Sequence, residues 1–141
     1  MSTIWHSAPD LALANKMSVN SAIARLGIEF TDVGAEHLTA RMPVDDRTLQ
    51  PAGVLHGGAS VLLAETLASW AATFVVDPDR SYCVGMEINA NHLRPVMAGT
   101  VFGVARPVAL GRRTQVWEIR VSDEAGKLVC ISRCTMAVVE I

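Results

Sequence analysis

Gln50-Pro51-Ala52-Gly53-Val54-Leu55-His56-Gly57-Gly58-Ala59-Ser60-Val61-Leu62-Leu63-Ala64-Glu65 is the stretch that decides the fold of this chain. A turn-rich loop with proline and glycine enters His-Gly-Gly, then passes directly into an apolar run that ends before Asp77-Pro78-Asp79. About twenty residues rising 1.5 Å each make a helix of roughly 30 Å. It is apolar on nearly every face, so it has to be enclosed. Glu65 is the only ionisable residue in the run and is expected among core side chains. An unpaired, ionised carboxylate there costs several kcal/mol, and Glu is rarely fully buried without a partner. Catalysis is the first explanation for a carboxylate so placed.

The flanks of this helix have a simple organisation. Leu11–Leu26 carries two short helical patterns broken near Met17-Ser18-Val19-Asn20, with Ser18 or Asn20 as the expected cap of the second. Gly27–Val33 and Glu36–Val44 alternate as strands about a turn at Gly34, and Asp45–Gly53 is a loop. Beyond Asp77–Arg80 come four β-rich runs, Tyr82–Asn91, Thr100–Leu110, Gln115–Ser122 and Lys127–Val139. Gly111-Arg112-Arg113 joins the second to the third, and Asp123-Glu124-Ala125-Gly126 is a tight hairpin turn. One long apolar helix followed by meandering strands is an α+β pattern, a curved antiparallel sheet wrapped round a central helix. It reads as a single domain over residues 1–141, with a short helical segment over about the first 26. Any helix face left bare by the sheet calls for a second copy of the chain.

Composition narrows the function. A chain of 141 residues can bury a core without staples. Half the residues are apolar and 18% are charged, which describes a globular protein rather than a disordered one. A net charge of −2 provides no overall field for nucleic acid or an anionic membrane, so any anion site is a local cluster. The apolar run is long enough to imitate a membrane span. It is rich in Ala and Ser, is interrupted by Glu65 and lacks basic anchors, so a buried helix is the better reading. Three cysteines without CxxC spacing suggest a reducing compartment, and no basic-then-apolar leader opens the chain; the expected location is the cytoplasm. Cys130 and Cys134 lie roughly 13 Å apart along one strand, too far to share a metal, and read as core thiols. No carboxylate is spaced with a histidine as a metal site. Trp5, Trp70 and Trp117 read as packing, and His6 and His37 belong to no constellation.

Several segments together resemble one family. Pro43-Val44-Asp45-Asp46-Arg47-Thr48 with Gln50-Pro51, Leu55 through Ser60, Ala64-Glu65, Glu87 through His92, Leu110-Gly111-Arg112, Gln115 through Ile119 and Asp123 through Gly126 are similar to the hotdog-fold acyl-CoA thioesterases. The similarity is to the PaaI-like branch, which includes 1,4-dihydroxy-2-naphthoyl-CoA and enterobactin-linked thioesterases. It spans about Leu26 to Val139. His-Gly-Gly alone is a weak motif, but an ordered set of segments at matching spacing is specific. The resemblance implies acyl-CoA hydrolysis at a homodimer interface within a homotetramer, with coenzyme A as part of the substrate and no separate cofactor. It implies that Gln50 orients the thioester or the attacking water. It also implies that Gly85, the segment His92-Leu93-Arg94-Pro95 and the segment Ala109-Leu110-Gly111-Arg112-Arg113-Thr114 contact the pantetheine arm and nucleotide.

The chemistry follows from the residues themselves. Gly57 at a helix start presents an N–H without an intrahelical acceptor at the positive end of the dipole, suited to polarising a thioester carbonyl. Its missing side chain permits close approach. Glu65 can attack that carbonyl to form an anhydride, or deprotonate water. His56 is expected to position rather than act as base. Ser69, one turn beyond Glu65, either binds the attacking water or bonds back to its own helix. Eight helical residues separate Gly57 from Glu65, roughly 12 Å, so one carbonyl cannot be close to both within a single helix. An antiparallel helix from a second chain removes the conflict. Coenzyme A also needs local cations, and Arg94, Arg112 and Arg113 are the candidates, with a solvated-surface role as the alternative for each.

Other functions fit less well. A hotdog dehydratase would pair a catalytic His with an Asp or Glu, unlike an isolated Glu65. A non-catalytic acyl-CoA-binding protein would keep the arginines without needing Glu65. Within the hydrolase reading, the acyl group sits on coenzyme A or, alternatively, is a misloaded group on an aryl carrier protein.

Overall fold

In the computed structural model, which describes residues 2–141, the elements run in the order α1 (Leu11–Met17), α2 (Ala22–Arg25), β1 (Glu29–Val33), β2 (Leu38–Val44), α3 (Gly57–Val75), β3 (Ser81–His92), β4 (Gly99–Leu110), β5 (Thr114–Ser122) and β6 (Leu128–Glu140). The six strands form one antiparallel sheet in the order β1-β2-β4-β5-β6-β3. The long helix and the strand boundaries expected from hydropathy are present within a few residues.

Strand alternation supplies the concave face. Leu38, Ala40, Met42 and Val44 of β2 are buried, as are Trp117, Ile119 and Val121 of β5 and Cys130, Cys134 and Met136 of β6, in the period of two that a pleated strand imposes. Onto that face α3 lays Leu63, Ala64, Leu67, Ala68, Ala71 and Ala72, all buried. The alanines bring the helix axis close to the strands. By length and composition α3 also qualifies as a membrane span, but its inner face is packed on the sheet.

The extreme N-terminus closes one end of this layer. Trp5 stacks on Trp117 with ring centroids 6.3 Å apart, meets Phe74 edge-on at 6.4 Å, and donates its indole N–H to Gly34 O at 2.8 Å. The packing role expected of these tryptophans holds. The cap of α2 differs from expectation: Ser21, not Ser18 or Asn20, accepts from Ile23 N–H. Ser18 instead ends α1, its buried hydroxyl donating to Ala14 O at 2.8 Å. Asn20 takes the left-handed conformation, φ 61°, which connects the two helices and is tolerated by Asn. Cys83, Cys130 and Cys134 are free thiols. Burial, and then the negative charges of Glu65 and Glu87, push Cys134 up to about 11, so it is a protonated, unreactive thiol at neutral pH.

One edge of the sheet is conspicuous. β3 is twelve residues long, pairs only with β6, and exposes Tyr82 (51%), Val84 (44%) and Met86 (62%). A long apolar edge strand is an open template for pairing with another chain. A bulge between Gly85 and Glu87 bends it.

Helix and sheet approach closely at Gly103 of β4, where a Cβ would lie 2.7 Å from Leu67 Cδ1 and 3.3 Å from Leu63. Both leucines are fully buried and have nowhere to move. Gly103→Val should therefore cost about 1–3 kcal/mol by overpacking, read as a lowered denaturant midpoint. A variant as stable as the wild type would show that helix and sheet can separate without loss.

Candidate active site

The start of α3 is built by its loop. Leu55 N–H donates to Val96 O at 2.7 Å and His56 N–H to Thr48 O at 2.8 Å. These bonds fix where the chain turns into the helix. Gln50 closes the loop from the other side, its N–H donating to Val54 O at 2.8 Å and its carbonyl accepting from Gly53 N–H at 2.9 Å. Gln50 Oε1 accepts from Ala52 N–H, which leaves the amide NH2 as the end able to meet a substrate. His56 is the N-cap of α3, and its Nδ1 accepts from Gly58 N–H at 2.8 Å. A neutral imidazole accepting at Nδ1 carries its proton on Nε2. His56 is thus arranged to donate a hydrogen bond, in keeping with a positioning group rather than a base. Gly57 N–H has no acceptor among the described residues and sits at the positive helix end. A Cβ on Gly57 would come within 2.9 Å of His92 Nε2, so glycine is what lets the His92 ring stand beside the helix start.

Glu65 is not in the core. It faces out from α3 and is exposed, because the sheet covers only the opposite face of the helix. The cost of burying its charge therefore does not arise within one chain. Glu65 lines a cavity of about 270 Å³ with Ala22, Ile23, Leu62, Thr66, Ser69 and Trp70. Among the described residues no cation reaches its carboxylate. Gly85 of β3 lies against it, since a Cβ there would be 3.1 Å from Glu65 Oε1. The Ser69 hydroxyl makes no back-bond to the helix among the described residues, and the Ser69 carbonyl accepts from the Thr73 hydroxyl at 2.8 Å.

The structure brings together some expected residues and separates others. Gln50, His56 and Gly57 meet at the helix start, joined by His92. Glu65, Ser69 and Gly85 meet farther along the same helix. Arg94 and the Arg112-Arg113 pair sit at opposite ends of the sheet. Arg94 is 3.8 Å from Asp123 at the β5–β6 turn, whereas Arg112 lies by the turn that follows α3. Leu93 and Pro95 flank Arg94, and Ala109, Leu110, Gly111 and Thr114 carry the other turn. Sequence reasoning passed over Ala22, Ile23, Leu62 and Thr66 as cavity walls. Leu62 and Thr66 had a signal, the spacing of three and four residues about Glu65 and Ser69; α2 had none, since only tertiary packing lays it against α3. Trp70, read as packing, packs on Phe30 and Phe74 and also forms a wall beside Glu65.

An antiparallel sheet curved round one long helix that begins at His-Gly-Gly and carries a single carboxylate defines a hotdog-fold thioester hydrolase. The chain belongs to the thioesterase superfamily, whose family model matches residues 52–130. It is 46% identical to the 1,4-dihydroxy-2-naphthoyl-CoA hydrolase of Escherichia coli, over 96% of this chain and 98% of that one. It is 48% identical to the proofreading thioesterase EntH of Cronobacter turicensis, over the same shares. The crystal structure of a mutant thioesterase from Pseudomonas aeruginosa matches with a TM-score of 0.97 at 52% identity, covering 99% of this chain and all of that one.

The N-cap separates stability from chemistry at His56. His56→Ala should lose about 1 kcal/mol with the cap, whereas His56→Asn keeps an acceptor for Gly58 N–H and should recover most of it. Neither variant supplies the Nε2 donor, so both should stay impaired in turnover. Full activity in His56→Asn would limit His56 to capping.

Proposed function

We propose that the protein is an acyl-CoA thioesterase that hydrolyses an aromatic acyl-CoA to the free acid and coenzyme A, at sites shared by two chains. The observation that carries this is the placement of two half-sites against one edge strand. Gly57 abuts His92 near one end of β3, and Glu65 abuts Gly85 seven residues back along it. If two β3 edges pair antiparallel with His92 opposite the partner's Gly85, the N–H of Gly57 comes next to the partner's Glu65. That pairing also covers Tyr82, Val84 and Met86 and removes the 12 Å conflict within one helix.

In such a site the Gly57 N–H and His56 Nε2–H donate to the thioester oxygen, where negative charge grows as the carbonyl is attacked. Glu65 acts by one of two balanced routes. Its carboxylate adds to the carbonyl and expels the thiolate, leaving an anhydride that water opens; or it takes a proton from water as the water adds. Ser69 and Gln50 are placed to hold that water. Covering the cavity would desolvate Glu65 and strengthen it as nucleophile or base. The apolar, Trp70-walled cavity supports a flat acyl group. No metal or further cofactor is required by this chemistry.

The same pairing addresses the separated arginines. With His92 opposite the partner's Gly85, Arg94 falls opposite the partner's Cys83. The partner's Arg112 turn is then about three strand spacings from Arg94, roughly 14 Å. One nucleotide could then meet Arg94 of one chain and Arg112 or Arg113 of the other. A second reading, release of misloaded acyl groups from a carrier protein, is favoured by the likeness to a proofreading thioesterase. Ranking aryl-CoA, fatty acyl-CoA and aryl carrier-protein substrates by kcat/KM chooses between the two.

Glu65→Gln should fold and assemble normally yet lose at least about a hundredfold in kcat, measured by thiol release; near-normal turnover removes Glu65 from the mechanism. Subunit exchange tests the shared site. Glu65→Gln and His56→Ala proteins, each nearly inactive, should regain activity when mixed. Half the dimers are then mixed and each holds one intact site, so about a quarter of all sites recover. Activity fixed at the parental floor after exchange verified by mass would place the whole site in one chain.

A further inference from the structure

Two walls of the cavity at Glu65 are apolar side chains with no part in the chemistry, Ile23 of α2 and Trp70 of α3. Neither is held in place by its own element. The helix α2 is four residues long, far below the length at which a helix holds together alone, and it forms no part of the sheet. The Trp70 ring stands between two others, edge-on to Phe30 at 5.8 Å and tilted against Phe74 at 5.6 Å.

Both walls lead back to one side chain. Asn15 lies in α1 and does not line the cavity. Its Oδ1 accepts from Phe30 N–H at 2.8 Å, and its Nδ2 donates to Phe30 O at 3.1 Å. The amide thus satisfies both backbone groups of one residue, as a neighbouring strand does, on β1 at the edge of the sheet. From there one path runs through the Phe30 ring to Trp70. The other follows the chain to Ile23. The Ser18 hydroxyl ends α1 on Ala14 O, and the Ser21 hydroxyl donates to Ser18 O and accepts from Ile23 N–H. Ile23 O in turn accepts from Ile28 N–H at 3.0 Å. Local structure does not call for this residue, because Asn is a poorer helix former than Ala inside a helix. Its two bonds to a residue fifteen positions away explain its presence.

We propose that Asn15 is a positioning residue for the acyl group. By clamping α1 to β1 it sets the gap between Ile23 and Trp70, and with it the preference for a flat ring over a flexible chain. The proposal rests on the acyl-CoA reading above. Volume agrees with it. An apolar cavity of about 150 Å³ holds benzene, and this one is about 270 Å³, which gives room for a substituted ring or two fused rings. A gap fitted to a planar ring discriminates only while its walls stay in place; once they move, a flexible chain fills it as well as a ring does.

Benzoyl-CoA and octanoyl-CoA test it, compared by kcat/KM in the wild type, Asn15→Ala and Asn15→Leu. Both substitutions remove the clamp, and Ala also strengthens α1, so folding is checked by melting midpoint and Asn15→Ala remains usable if Asn15→Leu is not. The benzoyl-to-octanoyl ratio should fall about fivefold or more. Ile23→Ala trims the wall itself and should shift the ratio the same way. Combined with Asn15→Ala it should give less than the sum of the two separate shifts, because both act on one gap; a full sum would mean that Asn15 does not act through it. The wall is also read directly. Labelling with 5-fluorotryptophan gives one fluorine resonance for each of the three tryptophans, assigned with Trp70→Phe. The Trp70 resonance should move or broaden in Asn15→Ala, while that of Trp117, fully buried in the core, stays. Equal losses on both thioesters, leaving the ratio unchanged, would overturn the proposal and make Asn15 a stability residue only. If the wild type hydrolyses neither thioester, the acyl-CoA reading fails, and the Trp70 resonance still decides whether Asn15 holds that wall.

Discussion

An α-helix rises 1.5 Å per residue, and most of this protein's functional design follows from that number. The helix start at Gly57 supplies a free N–H, and Glu65 supplies the only carboxylate on α3. They are eight residues apart and cannot serve one carbonyl within one helix. The fold instead sets each half against the same exposed strand, β3, at two different points. A strand advances about twice as far per residue as a helix, so in the proposed pairing the edge would carry each half-site to a second copy.

The core explains why the helix can be spared for this purpose. Alanines and Gly103 let α3 sink onto the sheet through one face, and Trp5 with Trp117 seals the end. The opposite face is thereby left to carry Glu65, Ser69 and Thr73 without loss of packing. The carboxylate is kept at the surface of a single chain rather than in the core.

The sequence by itself determined the elements and the identity of the chemistry. The apolar run after His-Gly-Gly read as an enclosed helix, the alternating runs as half-buried strands, and the lone Glu in that helix as the candidate reacting group. These are properties of local period and residue type. Tertiary structure alone decided the rest. It placed Glu65 on the bare face rather than in the core, because which side of an all-apolar helix meets the sheet is not written in its pattern. It set His92 beside Gly57, parted Arg94 from Arg112, and laid α2 over the cavity. Each of those depends on strand order and register over separations of tens of residues, which hydrophobic periodicity does not encode.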